Sequence, residues 1–131
     1  MDLLDHFYSI LLISFGAILG SNIRLFIYNI LDKLFLIRRH YKVLFVNNFA
    51  SFFLGLSLAA STRLINPNDL NTIYFFFSIG FLGSLSTFST FIYDLFEISA
   101  KYKFINSIKF IVISISFGLI ALWLGYLIGN L

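Results

Sequence analysis

The sequence contains no cysteine, a single proline, two histidines and only 11% charged residues. Without cysteine there can be no disulfide, no thiolate metal site and no thiol nucleophile. The two histidines, His6 and His40, sit near the ends of apolar stretches, so a histidine-based metal or catalytic cluster is not expected. The shortage of charge also bears on fold class, because a soluble domain carries about 25% charged residues and roughly 45–50% apolar ones. Here 60% of the 131 residues are hydrophobic. A soluble domain of that composition and length would lack the polar material to cover its surface, whereas a lipid-facing surface needs none. The chain is short enough to be one domain, 1–131, with no room for a separate soluble catalytic module.

What the sequence does have is long apolar runs. A bilayer core is crossed by about 20 mostly apolar helical residues, and four such stretches occur, at about 7–30, 43–60, 72–99 and 105–128. The first is too long for a removable signal peptide and lacks its basic start and small-residue cleavage site. Asp32 to Lys42 forms a basic connection, Ser61 to Asn71 holds turn chemistry around Asn66-Pro67-Asn68, and Lys101 to Lys103 begins a third, short connection. The expected fold is therefore an all-α integral membrane protein of four transmembrane helices.

The net charge of +3 does not point to nucleic acid, because the basic residues lie in the connections rather than forming a face. Lys33, Arg38, Arg39, Lys42, Lys101 and Lys103, with Lys109 just inside the fourth span, share one side of a four-span topology, and Arg63 stands alone on the other. Short-loop Lys and Arg remain cytoplasmic. A multi-pass protein of the cell (inner) membrane with both termini outside the cytoplasm follows.

The third span carries the unusual chemistry. From Ser78 to Phe91 it contains Gly80, Gly83 and the hydroxyls of Ser84, Ser86, Thr87, Ser89 and Thr90, interleaved with Phe88 and Phe91. Small and hydroxyl residues serve close helix packing in lipid, which accounts for Gly80, Gly83 and Ser84. The denser run from Ser86 to Phe91 suggests a helix broken near its middle, at Gly83 to Ser86. Irregular backbone at membrane depth persists only when buried in protein or lining a cavity. Freed carbonyls there suit a cation and freed amides an anion. Phe88 and Phe91 are three apart and share a helical face, and aromatic edges carry partial positive charge. The segment is thus a candidate anion path. In the second span Asn47 offers amide donors at membrane depth, while Asn48 points to another helical face and is read as a packing residue. Arg24 is a charge in or near the end of the first span, placed either in an anion entrance or snorkelling to the interface. Asp94 and Glu97 are read as interfacial rather than catalytic.

These residues resemble the signature of the Fluc/CrcB fluoride channel family, G-F-x-G-G-x-T-T-F-S-T-F-S-x-E. The sequence here is Gly80-Phe81-Leu82-Gly83-Ser84-Leu85-Ser86-Thr87-Phe88-Ser89-Thr90-Phe91-Ile92-Tyr93-Asp94, with Thr87 to Phe91 identical to the signature. The first-span pattern G-x-x-x-G-x-x-x-R recurs as Gly16, Gly20 and Arg24, and V-N-x-x-G as Val46-Asn47-Asn48-Phe49-Ala50 followed by Gly55. Ser84 stands for a glycine, Ser86 for a threonine, Ala50 for a glycine and Asp94 for a glutamate.

The resemblance implies a fluoride-selective channel subunit that lets cytoplasmic fluoride leave the cell passively and so limits its toxicity. By the same resemblance Asn47, Phe88 and Phe91 contact the ion. Ser89 and Thr90 continue a polar lining, which Ser114 in the fourth span either extends or leaves by bonding back to its own helix. Backbone carbonyls of Gly83 and Ser86 would hold a structural, untransported sodium ion at the centre of an antiparallel dimer. A dual-topology homodimer should show little basic-side bias; the strong bias here implies a heterodimer with a homologue of opposite bias. The nearest rival is a small four-helix multidrug-type exporter, which needs a membrane-embedded carboxylate; the first span has none between Asp5 and Asp32. An enzyme is not expected, since histidine clusters, cysteines and paired mid-membrane carboxylates are all missing.

Overall fold

The computed structural model describes residues 3–35, 38–63, 74–102 and 104–131. The turn at Asn66-Pro67-Asn68, the start of the third span at Thr72 and the cation of Lys103 lie outside the described residues. Helix α1 is Leu3–Phe35 and α2 is Arg39–Arg63. Helix α3 begins as a π-helical run, Tyr74–Leu82, and closes with one α-helical turn, Gly83–Leu85. Helix α4 is Phe88–Lys101 and α5 is Phe104–Gly129. No strand occurs among the described residues.

Among the described residues four stretches are long and apolar enough to cross a membrane: His6–Leu34, Arg39–Ser61, Tyr74–Lys101 and Phe104–Gly129, the third being α3 and α4 together. Helices α1 and α2 extend a few residues beyond the apolar edges seen in the sequence, and α5 one residue beyond them at each end. Those edges mark where hydrocarbon contact ends, whereas helical hydrogen bonding continues into the interface.

Helices α1, α2 and α5 have no distinct polar face, as membrane spans do not, whereas α4 carries Asp94, Glu97 and Lys101. Some hydroxyl residues of the helices turn to their own backbone, as Ser57 Oγ donates to Leu54 O at 2.9 Å and Ser61 Oγ to Leu58 O at 2.7 Å, while Ser57 Oγ also lies 3.1 Å from Ser78 Oγ of α3. Association in lipid then relies on close packing. Helix α1 lies against α3, and α2 against α5. Both crossings are backbone to backbone at glycine. A Cβ on Gly80 would come within 2.6 Å of Ile13 O, one on Gly16 within 2.9 Å of Phe81 N, and one on Gly55 within 2.8 Å of Tyr126 N. On Gly125 it would fall on Phe52 O.

The small protein core is Val46, Ala50, Leu82 and Leu85, with Ile27 and Tyr28 of α1 packed against it. Ala50 is 3% exposed, so the methyl group that replaces a glycine is seated within this cluster. Large apolar side chains elsewhere face outward, among them Phe117 and Trp123, where lipid is the solvent. At the basic end, α4 and α5 meet through Ser107 Oγ, which donates to Leu95 O at 3.4 Å, and α2 meets α5 through His40, whose ring lies edge-on to Phe110 at 6.1 Å.

Candidate functional site

Between α3 and α4 the backbone leaves helical geometry for two residues. Ser86 has φ −70° and ψ 154°, and Thr87 has φ −141° and ψ 120°, both extended. The N–H of Ser86 still donates to Leu82 O at 3.1 Å, so the helical ladder stops at the next amide. Thr87 N–H turns instead to Asn47 Oδ1 of α2, at 2.9 Å. Asn47 Nδ2 donates in return to Thr87 O at 3.4 Å. One carboxamide therefore replaces both backbone partners that an extended residue in the membrane would lack. Since Thr87 is 6% exposed, water could not take that part. The N–H donor also fixes which end of the Asn47 amide faces Thr87, because only its oxygen can accept.

Thr87 then caps the helix that follows. Its Oγ1 accepts from Thr90 N at 3.4 Å and lies 3.1 Å from Thr90 Oγ1 and 3.4 Å from Ser89 Oγ. A threonine at this position satisfies one of the orphan amides at a helix start. The first amides of α4 thus open inside the third span, where the helix dipole favours negative charge.

The same diversion frees oxygen on the other side. In an uninterrupted helix Thr87 N–H would bond Gly83 O and Thr90 N–H would bond Ser86 O. Both amides are engaged elsewhere, and Gly83 O accepts from Ser86 Oγ at 3.3 Å. Gly83 is exposed and Ser86 half-buried. Carbonyl oxygens at the negative end of a helix are the donor set a hard cation takes. Among the described residues no group of three or more His, Cys, Asp or Glu side chains could hold a metal, so a cation here would rest on backbone. A cleft of about 110 Å³ between α2 and α3, lined by Ser51, Ser78, Gly83 and Ser86 among apolar neighbours, adjoins these carbonyls.

The remaining candidates divide. Phe91 is half-buried and stacks on Phe110 of α5 with ring centroids 5.6 Å apart, and Ser114 Oγ donates to Phe110 O at 2.7 Å, its own helix. Phe88 stands at the surface, 75% exposed. Arg24 is half-buried on α1. The structure thus gathers Asn47, Thr87, Ser89 and Thr90 directly, and aligns Phe91 and Ser114 along Phe110. Among the described residues no hydrogen bond or ion pair joins Phe88 or Arg24 to that set. Ser84, where a glycine was expected, donates to Ala17 O of α1 at 3.0 Å and fills the space above Gly20.

Several participants escape a reading of the sequence. Asp94 is buried in protein rather than open to the interface, with its side chain 1% exposed. Arg39 Nε and Nη2 both donate to its Oδ1, at 2.9 and 2.7 Å, and Nη2 also reaches Glu97 Oε2 at 3.0 Å. The guanidinium lies 4.3 Å from the centre of the Tyr93 ring, and Lys101 Nζ bonds Glu97 Oε1 at 2.6 Å. Asp94 Oδ2 and the Tyr28 hydroxyl are buried without a partner among the described residues. The available signals were Asp94 and Glu97 three apart on α4, opposite a basic start to α2. For the hydroxyl cleft the signal was Ser51, four residues after Asn47 on the same helical face.

Comparison with known proteins bears on what this arrangement is. Residues 11–126 match the family described as CrcB-like protein, Camphor Resistance (CrcB). The chain is 43% identical over 121 residues to Fluoride-specific ion channel FluC 2 of Prochlorococcus marinus (strain NATL2A), covering 92% of this chain and 97% of that protein. It is 44% identical over 120 residues to FluC 2 of Prochlorococcus marinus (strain MIT 9312), covering 90% and 91%. To Fluoride-specific ion channel FluC of Campylobacter jejuni (strain RM1221) it is 31% identical over 121 residues, covering 92% and 96%. With nearly its whole length matched, the four-span chain belongs to the CrcB-like family.

Proposed function

We propose that this chain is one subunit of a fluoride-selective channel through which cytoplasmic fluoride leaves the cell down its gradient, lowering its toxicity. The observation that carries the reading is the Asn47 carboxamide fixing Thr87 where helical bonding stops within the third span. Fluoride is small and strongly hydrated, and its water must be replaced by good donors in a rigid setting. Asn47 holds Thr87 with one amide hydrogen and keeps the second for an ion. The opening amides of α4 add a positive dipole end beside it. The edges of Phe88 and Phe91 supply weaker positive potential on rings too stiff to admit larger anions. Ser89 and Thr90 form the polar track away from the rings, and Arg24 raises anion concentration at an entrance.

The channel is an antiparallel dimer in the inner membrane, with both termini of this chain outside the cytoplasm. Phe88, exposed on one subunit, reaches the path from its partner. The charge bias of the connections favours a heterodimer with a homologue of opposite bias. Gly83 and Ser86 would offer carbonyl oxygens to a structural sodium ion where α3 of the two subunits meet, tying the ends of the helices together. An exporter coupled to protons would need a free embedded carboxylate, and Asp94 is ion-paired with Arg39.

Fluoride efflux from liposomes, with chloride as the control ion, tests the proposal. Rapid fluoride efflux that is reduced in Asn47→Ala and Phe91→Ala supports it, and chloride efflux at a comparable rate overturns it. A functional channel formed by this chain alone refutes the heterodimer.

A further inference from the structure

The cations at the basic end fall into two groups. Arg39 faces Asp94 and Glu97, Lys101 faces Glu97, and Lys42 contacts Asp32. Arg38 and Lys109 have no acidic partner among the described residues. Both line a recess of about 320 Å³ between the start of α2, the end of α4 and the start of α5. Asn106 and Tyr102 add polar groups to its lining, and Leu44 and Ile113 add an apolar side. Ile113 is 46% exposed, so this side opens onto the surface that faces hydrocarbon.

We propose that this recess is a binding site for one anionic phospholipid. Two unpaired cations and an amide donor suit a phosphodiester headgroup. A soluble phosphate would make no use of the apolar wall, whereas a lipid places its headgroup at the rim and its chains along Leu44 and Ile113. Tyr102 and Tyr41, both more than half exposed, stand at the depth where aromatic side chains mark the membrane interface. Basic pockets between membrane helices hold anionic headgroups by this combination. The site is separate from Asn47, Thr87 and the α3–α4 junction, and does not depend on which ion the protein conducts.

Native mass spectrometry of the detergent-purified protein tests the site, with phosphatidylglycerol and phosphatidylcholine added in turn. The wild type should retain phosphatidylglycerol roughly thirty-fold more tightly, about fivefold for each cation. Arg38→Gln with Lys109→Gln should abolish the preference, while Lys33→Gln, a lone charge near the same face, should preserve it. Equal retention of the two lipids by the wild type overturns the proposal, as does an equal loss in Lys33→Gln. Full displacement of the lipid by millimolar inorganic phosphate also overturns it, since the recess would then be a simple anion site. Elution of each variant at the wild-type position in size exclusion confirms that lost binding is not lost fold.

Discussion

Where α2 crosses α5, Gly55 and Gly125 carry no side chain, and two intact helices touch backbone to backbone. Where α3 meets α4, the helix is given up for two residues and a side chain from α2 takes over its hydrogen bonds. Both arrangements obey one constraint, that no backbone polar group stays bare at membrane depth. The crossing obeys it by keeping every bond within its own helix and removing bulk. The junction obeys it at Thr87 by recruiting Asn47, and the Gly83 and Ser86 carbonyls give up their helical amide partners. A crossing of the first kind is a scaffold. A junction of the second kind can hold an ion.

Substitutions can break this contrast in order of severity. Gly125→Val puts a side chain onto Phe52 backbone that cannot yield, and should destabilise the protein by about 3 kcal/mol or more; loss of the monodisperse peak after detergent extraction measures it. Asn47→Ala leaves the buried Thr87 N–H unpaired, which should lower stability by about 2 kcal/mol. In liposomes the same change should reduce fluoride efflux by about tenfold, the equivalent of one net hydrogen bond. Asn47→Asp keeps the acceptor for Thr87 but loses the donor and adds negative charge. It should recover about 1 kcal/mol of that stability while efflux stays low, separating the residue's two duties.

Smaller effects sharpen the boundary of the site. Asp94→Asn keeps an acceptor for Arg39, which also retains Glu97 and is 44% exposed. Its effect on the unfolding midpoint should correspond to about 1 kcal/mol. Ser114→Ala removes a hydroxyl whose bond is to its own helix, and should leave stability within about 0.5 kcal/mol of wild type.

Much of the architecture was legible in the chain. Long apolar runs register as four crossings because every residue of a span meets lipid or a close-packed neighbour, and composition records that directly. Gly80 and Ser84 announce a tight contact, and the Ser86 to Phe91 run announces unusual chemistry, since each departs from what lipid favours. The break was expected at Gly83 to Ser86, and the extended residues are Ser86, its last position, and Thr87, one beyond it. The reason is that Thr87 is the position that can both meet Asn47 and cap α4. Arg39 was legible only as one more topological cation, because its pairing with Asp94 joins residues 55 positions apart. Ser114 had two readings, and its local geometry places its hydroxyl on its own backbone.

The sequence by itself determined the solvent, the number of crossings and the polar run that lipid would not select, since these depend on local composition. Only the tertiary structure decided which amide receives the Thr87 N–H, which acid is buried and which cations stay unpaired. Each of those depends on two distant segments arriving within about 3 Å, and no local pattern encodes a distance between helices.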